Sequence, residues 1–165
     1  MKDRTIIWCL KQKRGIRIIQ PSENLTKAYL KKATSALNTM NAASEIGETD
    51  WITTTAYYAR YFALYALLMK MGIKSEIHDC SIAVASLLTE KGILKKDLAT
   101  DITNSKQARI GIQYYVEKEL NRACIRRDVE KARNFVLKLE KVIETVTTDR
   151  IEEVRAHMKT LKRSL

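Results

Sequence analysis

A chain of 165 residues with 30 Lys or Arg against 19 Asp or Glu carries a net charge of +11. That balance favours an anionic partner such as nucleic acid, a nucleotide or an acidic protein, the alternative being a merely well-solvated surface. The length fits one domain with a real core, no apolar run reaches the roughly 18 residues of a membrane span, and MKDRTIIWCLKQKRG holds too short an apolar run for a signal peptide, so a cytoplasmic protein is expected.

Residues 1–20 differ from the rest. TIIWCL and IRII are β-branched runs separated by KQKRG, which predicts a short hairpin or a basic extended arm, with 21–165 as the folded unit. Pro21 and Ser22 open a helix, Ser22 serving as N-cap, that presents Leu25, Tyr29, Ala33, Ala36, Leu37 and Met40 on one face and runs to about Ala43. SEIGETD is a loop whose Asp50 caps the next helix, which ends at Gly72 as a C′ glycine. This second helix contains AYYARYFALYALL, apolar except for Arg60. Its large residues crowd one half and its alanines form a strip on the other, the pattern of a central helix packed on two sides. One of those sides is open to use as a dimer interface, and the tyrosine hydroxyls need partners.

A third helix starts near His78 or Asp79 and buries Cys80, Ala83, Val84, Leu87 and Leu88 up to Gly92. Residues 93–104 read as a short helix and a turn. Ser105 is placed as the cap of a fourth helix, SKQARIGIQYY. A strong amphipathic stripe from Val129 to Val146 follows, and Asp149 with Glu152 forms a capping box for the last segment. The sum is an all-α, up-and-down bundle of five or six helices with an N-terminal extended arm.

Cys9, Cys80 and Cys124 are odd in number and widely spaced, and read as buried structural thiols of a reducing compartment. The two histidines, His78 and His157, do not pair with a cysteine at zinc spacing. No glycine-rich phosphate loop or dinucleotide fingerprint is present, and no cofactor or metal is expected.

Two stretches, AYYARYFALYALLMKMGIKSEIHDCSIAVASLL and QARIGIQYYVEKELNRACIRRDVEKARNFVLKLE, resemble the HEPN domain (higher eukaryotes and prokaryotes nucleotide-binding). Tyr57, Tyr58, Ala59, Leu67, Leu68, Gly72 and His78 match the first half of its pattern; Arg109, Tyr114 or Tyr115, Ala132 and Phe135 match the second. The likeness spans roughly Glu23 to Val146. It implies a helical bundle, usually a homodimer, often paired with a minimal nucleotidyltransferase in toxin–antitoxin modules. It also implies a metal-independent ribonuclease built on Arg-x(4–6)-His. These residues hold no Gly-Ser followed by spaced aspartates, so nucleotidyl transfer would belong to another polypeptide.

The departure is that no histidine follows Arg109 at that spacing; Tyr114, Tyr115 and Val116 stand there instead. Tyrosine, with a pKa of about 10, is a poor base at neutral pH, and histidine at about 6.5 is a good one. Arg109, Tyr114 and His78 are therefore the catalytic candidates, His78 having to come from another helix. Arg60, Tyr115, Arg122, Arg126 and Arg127 are the candidates for RNA or nucleotide contact, through phosphate forks and base stacking. Arg155 and His157, one residue apart, point apart on a helix and read as a surface coincidence. The leading expectation is a dimeric bundle that binds RNA, a nucleotide or a transferase partner with a degenerate ribonuclease motif. The alternatives are an active ribonuclease toxin and a non-catalytic interaction module.

Overall fold

The computed structural model describes residues 2–115 and 121–165. Among them are seven helices: α1 (Lys2–Lys11), α2 (Glu23–Ile46), α3 (Thr49–Lys70), α4 (His78–Glu90), α5 (Lys96–Tyr114), α6 (Arg122–Thr145) and α7 (Thr148–Arg163). Two short strands, β1 (Arg17–Ile18) and β2 (Ile73–Lys74), pair antiparallel with Ile18 opposite Ile73. The all-α bundle stands as expected. No helix among the described residues is long and apolar enough to cross a membrane.

The bundle is organised around α3. Fifteen of its residues, from Ile52 to Met69, are buried. α2 covers one side with Thr26, Ala33, Ala36, Met40 and Ala43, and α5 and α6 cover the other. The alanine strip admits α2 closely and the large half fills the core, which is why this helix tolerates almost no polar residue. From Ile52 onward the apolar faces of α3 are thus largely covered within one chain.

The N-terminal segment departs from the expected extended arm. Lys2–Lys11 is helical, with Ile6, Cys9 and Leu10 buried against the core. Spacings of three and four put these on one face, and tertiary packing overrides the β-preference of TIIWCL. IRII does form a strand, but it pairs with β2 rather than with the first run. The cysteine expectation is also overturned: Cys9 and Cys80 form a disulfide between α1 and α4 with Cα atoms 5.6 Å apart, and Cys124 is free and exposed.

Ser22 caps α2 as expected, accepting from the Leu25 N–H at 3.2 Å. Asp50 and Asp149 lie in the first turns of α3 and α7, and the cap positions belong to Glu48 and Thr147. Residues 93–104 do not hold a separate short helix and turn. α5 runs unbroken through Ser105, whose hydroxyl sits inside the bundle on Arg60 instead of capping a helix. Gly72, at φ 67°, turns the chain from α3 into β2. Arg155 is buried there, donating from Nη1 to the carbonyls of Ile19 (2.8 Å), Met71 (3.0 Å) and Gly72 (3.1 Å). It is a staple between α7 and the sheet, not a surface residue.

Candidate functional site

Three helices bring one cluster together. α3 supplies the adjacent Tyr57 and Tyr58 and, one turn on, Tyr61, all on its large half. α4 begins with His78 and Asp79, and α5 supplies Lys106, Arg109 and Gln113 on one face at helical spacing. The Tyr57 hydroxyl lies 2.6 Å from His78 Nδ1. The His78 ring stacks on Tyr61 with centroids 3.9 Å apart and planes within 13°. The Arg109 guanidinium lies over Tyr57 at 5.0 Å and Tyr58 at 5.8 Å, a cation–π placement. Arg109 Nη1 donates to Gln113 Oε1 at 2.9 Å. Lys106 pairs with Asp79.

Electrostatics fix the protonation states. Burial, reinforced by Tyr61, pushes the Tyr57 phenol far above its ordinary value. Burial likewise pushes Tyr61 up to about 12, against a hydrogen bond with Ser81. Both phenols are therefore neutral at physiological pH. His78 is held below its ordinary value, first by burial, then by the Arg109 and Lys106 cations, with Asp79 opposing. Its place in the first turn of α4 acts in the same direction, because a helix N-terminus disfavours a cation. A neutral imidazole facing a neutral phenol has two arrangements. When Nδ1–H donates to Tyr57, Nε2 keeps a lone pair and is a base; when Tyr57 donates to Nδ1, Nε2–H is a donor.

The cluster answers two questions left by the sequence. Three of the four α3 tyrosine hydroxyls find partners: Tyr57 at His78, Tyr61 at Ser81 (3.3 Å) and Tyr65 at the Ser75 carbonyl (2.7 Å). No histidine follows Arg109 on α5; the histidine in its cluster is His78, bonded to the hydroxyl of the Tyr57 whose ring Arg109 overlies. Lys106, Asp79 and Gln113 were not read as site residues. Lys106 and Gln113 signal themselves only by their i, i+3, i+7 spacing with Arg109, indistinguishable in sequence from a solvated face, and Asp79 only as a first-turn acid of α4.

The other candidates lie apart. Tyr114 and Tyr115, at the end of α5, are 72% and 65% exposed. No described hydrogen bond or ring contact joins Tyr114 to Arg109 or His78. Arg122, Arg126 and Arg127 are exposed on the first turns of α6, with Arg127 reaching Cys124 Sγ at 3.5 Å. Arg60 is a correction. It is 0% exposed, the largest fully buried side chain, and donates to Asp101 Oδ2 (2.9 Å), Asp128 Oδ1 (2.6 Å), Ser105 Oγ (3.3 Å) and the Ala56 carbonyl (3.2 Å). Its guanidinium is saturated by the protein and cannot reach a ligand.

Arg109 is the contrast. It is partly buried, its Nε has no hydrogen-bond partner, and no carboxylate pairs with it among the described residues. A guanidinium held on two rings, bonded to a neutral amide and to no carboxylate, keeps a net positive charge that an anion can meet.

The HEPN domain family model matches residues 26–153, which include α3 to α6 and leave α1 and β1 outside. No curated protein matches the chain.

Proposed function

The chain belongs to the HEPN domain family, associated with ribonuclease toxins and nucleotidyltransferase partners, and from that premise we propose that it binds single-stranded RNA at the Tyr57–His78–Arg109 cluster. The observation that carries this reading is the Arg109 guanidinium, seated on Tyr57 and Tyr58 without a carboxylate. It would receive a phosphate, with half-buried Tyr58 adjoining a base and Lys106 adding charge at the rim. The exposed Tyr115, Arg122 and Arg126 would add stacking and phosphate contacts outside the cluster. The family setting gives the remaining parts of the proposal: a homodimer in a toxin–antitoxin-type module with a nucleotidyltransferase partner.

Anisotropy of a labelled single-stranded RNA tests it. Removing one charge-assisted contact costs about 1.5–3 kcal/mol, so Arg109→Ala weakens binding roughly 10- to 100-fold. It also lowers the salt slope by about 0.7. Equal affinity of Arg109→Ala and wild type would overturn the site.

A second reading, RNA cleavage, is favoured by His78 standing neutral beside Arg109. His78 Nε2 would take the 2′-hydroxyl proton while Arg109 holds the phosphate. Cleavage at neutral pH that both His78→Ala and Arg109→Ala abolish selects this reading. Cleavage that instead survives His78→Ala and disappears in Tyr114→Phe assigns the base to Tyr114. Binding without cleavage leaves the first.

A further inference from the structure

The turn between α2 and α3 is acidic on a basic chain. Residues 44–51, SEIGETDW, are all exposed and hold Glu45, Glu48 and Asp50 with no Lys or Arg. None of these acids has an ion-pair partner among the described residues. Ile46 is 76% and Trp51 61% exposed. Two apolar side chains rimmed by uncommitted carboxylates have the composition of a protein contact.

The complementary feature is a groove between α5 and α6. A hollow of about 510 Å³ has the buried Leu98 and Phe135 in its floor and Lys96, Lys131 and Lys138 on its walls. It adjoins a second hollow of about 330 Å³ that shares Asp101, Asn104 and Lys131 and reaches Arg127. The carboxylates here are already neutralised: Asp101 and Asp128 pair with Arg60, and Asp97 pairs with Lys138. Lys96, Lys131 and Arg127 have no carboxylate partner among the described residues. Charge in this groove is therefore available to an acidic visitor.

We propose that the acidic turn of one copy docks in the α5–α6 groove of a second copy, Trp51 entering the groove and Glu48 and Asp50 meeting Lys131 and Arg127. The proposal rests on the homodimer reading and names its surfaces. The turn and the Arg127 end of the groove lie near one another, because Ile125, two residues before Arg127, packs in one cluster with Met40, Ala43 and Ile52. Neighbouring, mutually complementary patches satisfy the requirement of a two-fold interface, in which each contact occurs twice. Two chains of +11 repel one another, so a dimer needs such a local reversal of sign.

Charge exchange tests the contact, read by sedimentation equilibrium and, in a Trp8→Phe background, by the blue shift of Trp51 emission with concentration. Glu48→Lys with Asp50→Lys weakens the dimer by at least about tenfold, and Arg127→Glu with Lys131→Glu does the same from the other side. The chain carrying all four changes recovers the affinity. Glu140→Lys with Glu144→Lys, further along α6, adds the same charge and controls for general repulsion. A dimer indifferent to the two reversals, or equally weakened by the control, overturns the contact and leaves the homodimer reading standing. Failure of the fourfold variant to recover overturns the pairing of turn with groove. A monomer at every concentration reached overturns both.

Discussion

Arg60→Met separates an internal arginine from a ligand-binding one. The guanidinium is 0% exposed and bridges Asp101 on α5 to Asp128 on α6, whose side chains are 22% and 28% exposed. Replacing it with a similar apolar volume removes the cation and leaves two carboxylates facing one another, with Ser105 and the Ala56 carbonyl losing a donor. Breaking a buried pair costs about 3–5 kcal/mol. Water reaches both carboxylates here, which places the loss near the low end, about 3 kcal/mol. For a chain of this size that is a fall in Tm of roughly 6–12 °C. Chemical denaturation measures it with an unchanged m-value. Adding Asp101→Asn and Asp128→Asn to Arg60→Met returns a large part of the loss, because the penalty lies in the uncompensated carboxylates. RNA affinity stays within error of wild type. A loss under about 1 kcal/mol would refute the buried-network reasoning. Wild-type stability with lost RNA binding would return Arg60 to the binding site.

Proton NMR titration of His78 finds its midpoint below the usual value of about 6.5, and Arg109→Ala raises it by removing a cation. Because the folded value is depressed, the folded state takes up its proton later than the unfolded chain. The His78 contribution to stability is complete above about pH 6.5 and is lost as pH falls toward and through the folded value; a midpoint above 6.5 would contradict this. The Cys9–Cys80 bond closes a loop with a sequence separation of 71. Cys9→Ser with Cys80→Ser therefore costs on the order of 4 kcal/mol in the chain-entropy treatment. Denatured wild type titrates one thiol without reductant and three with it; three without reductant would remove the bridge. At Gly72 a methyl would lie 2.1 Å from Arg155 Nη1 and 2.5 Å from the Ile19 carbonyl oxygen, at a φ of 67°. Gly72→Ala is expected to destabilise by about 2 kcal/mol or more, and a neutral effect in thermal melts would show that the Arg155 staple yields.

What the sequence determined was what periodicity and punctuation carry. The apolar run from Ala56 to Leu68 could be satisfied only by a helix surrounded by others, and Gly72 and Gly92 ended helices as a glycine at positive φ does, whereas α2 runs past the expected Ala43 to Ile46 before Gly47 stops it. Ser22 announced its helix because capping is a contact over three residues. The family pattern, too, was legible along one strand of text: Tyr57-Tyr58-Ala59, His78 and Arg109 in order. Tertiary structure decided everything that depends on which helices touch. TIIWCL became a helix because α4 offered Cys80 to Cys9 and the core offered a socket to Ile6. Arg60 and Arg109 look alike in sequence, each a lone cation among apolar neighbours. One met two aspartates from helices 41 and 68 residues away and became structure. The other met two tyrosine rings and a glutamine amide, and no carboxylate among the described residues. A local pattern records the period of a side chain on its own helix, but the partner that neutralises a charge, or leaves it free for a ligand, is set by contacts the chain makes only once it has folded.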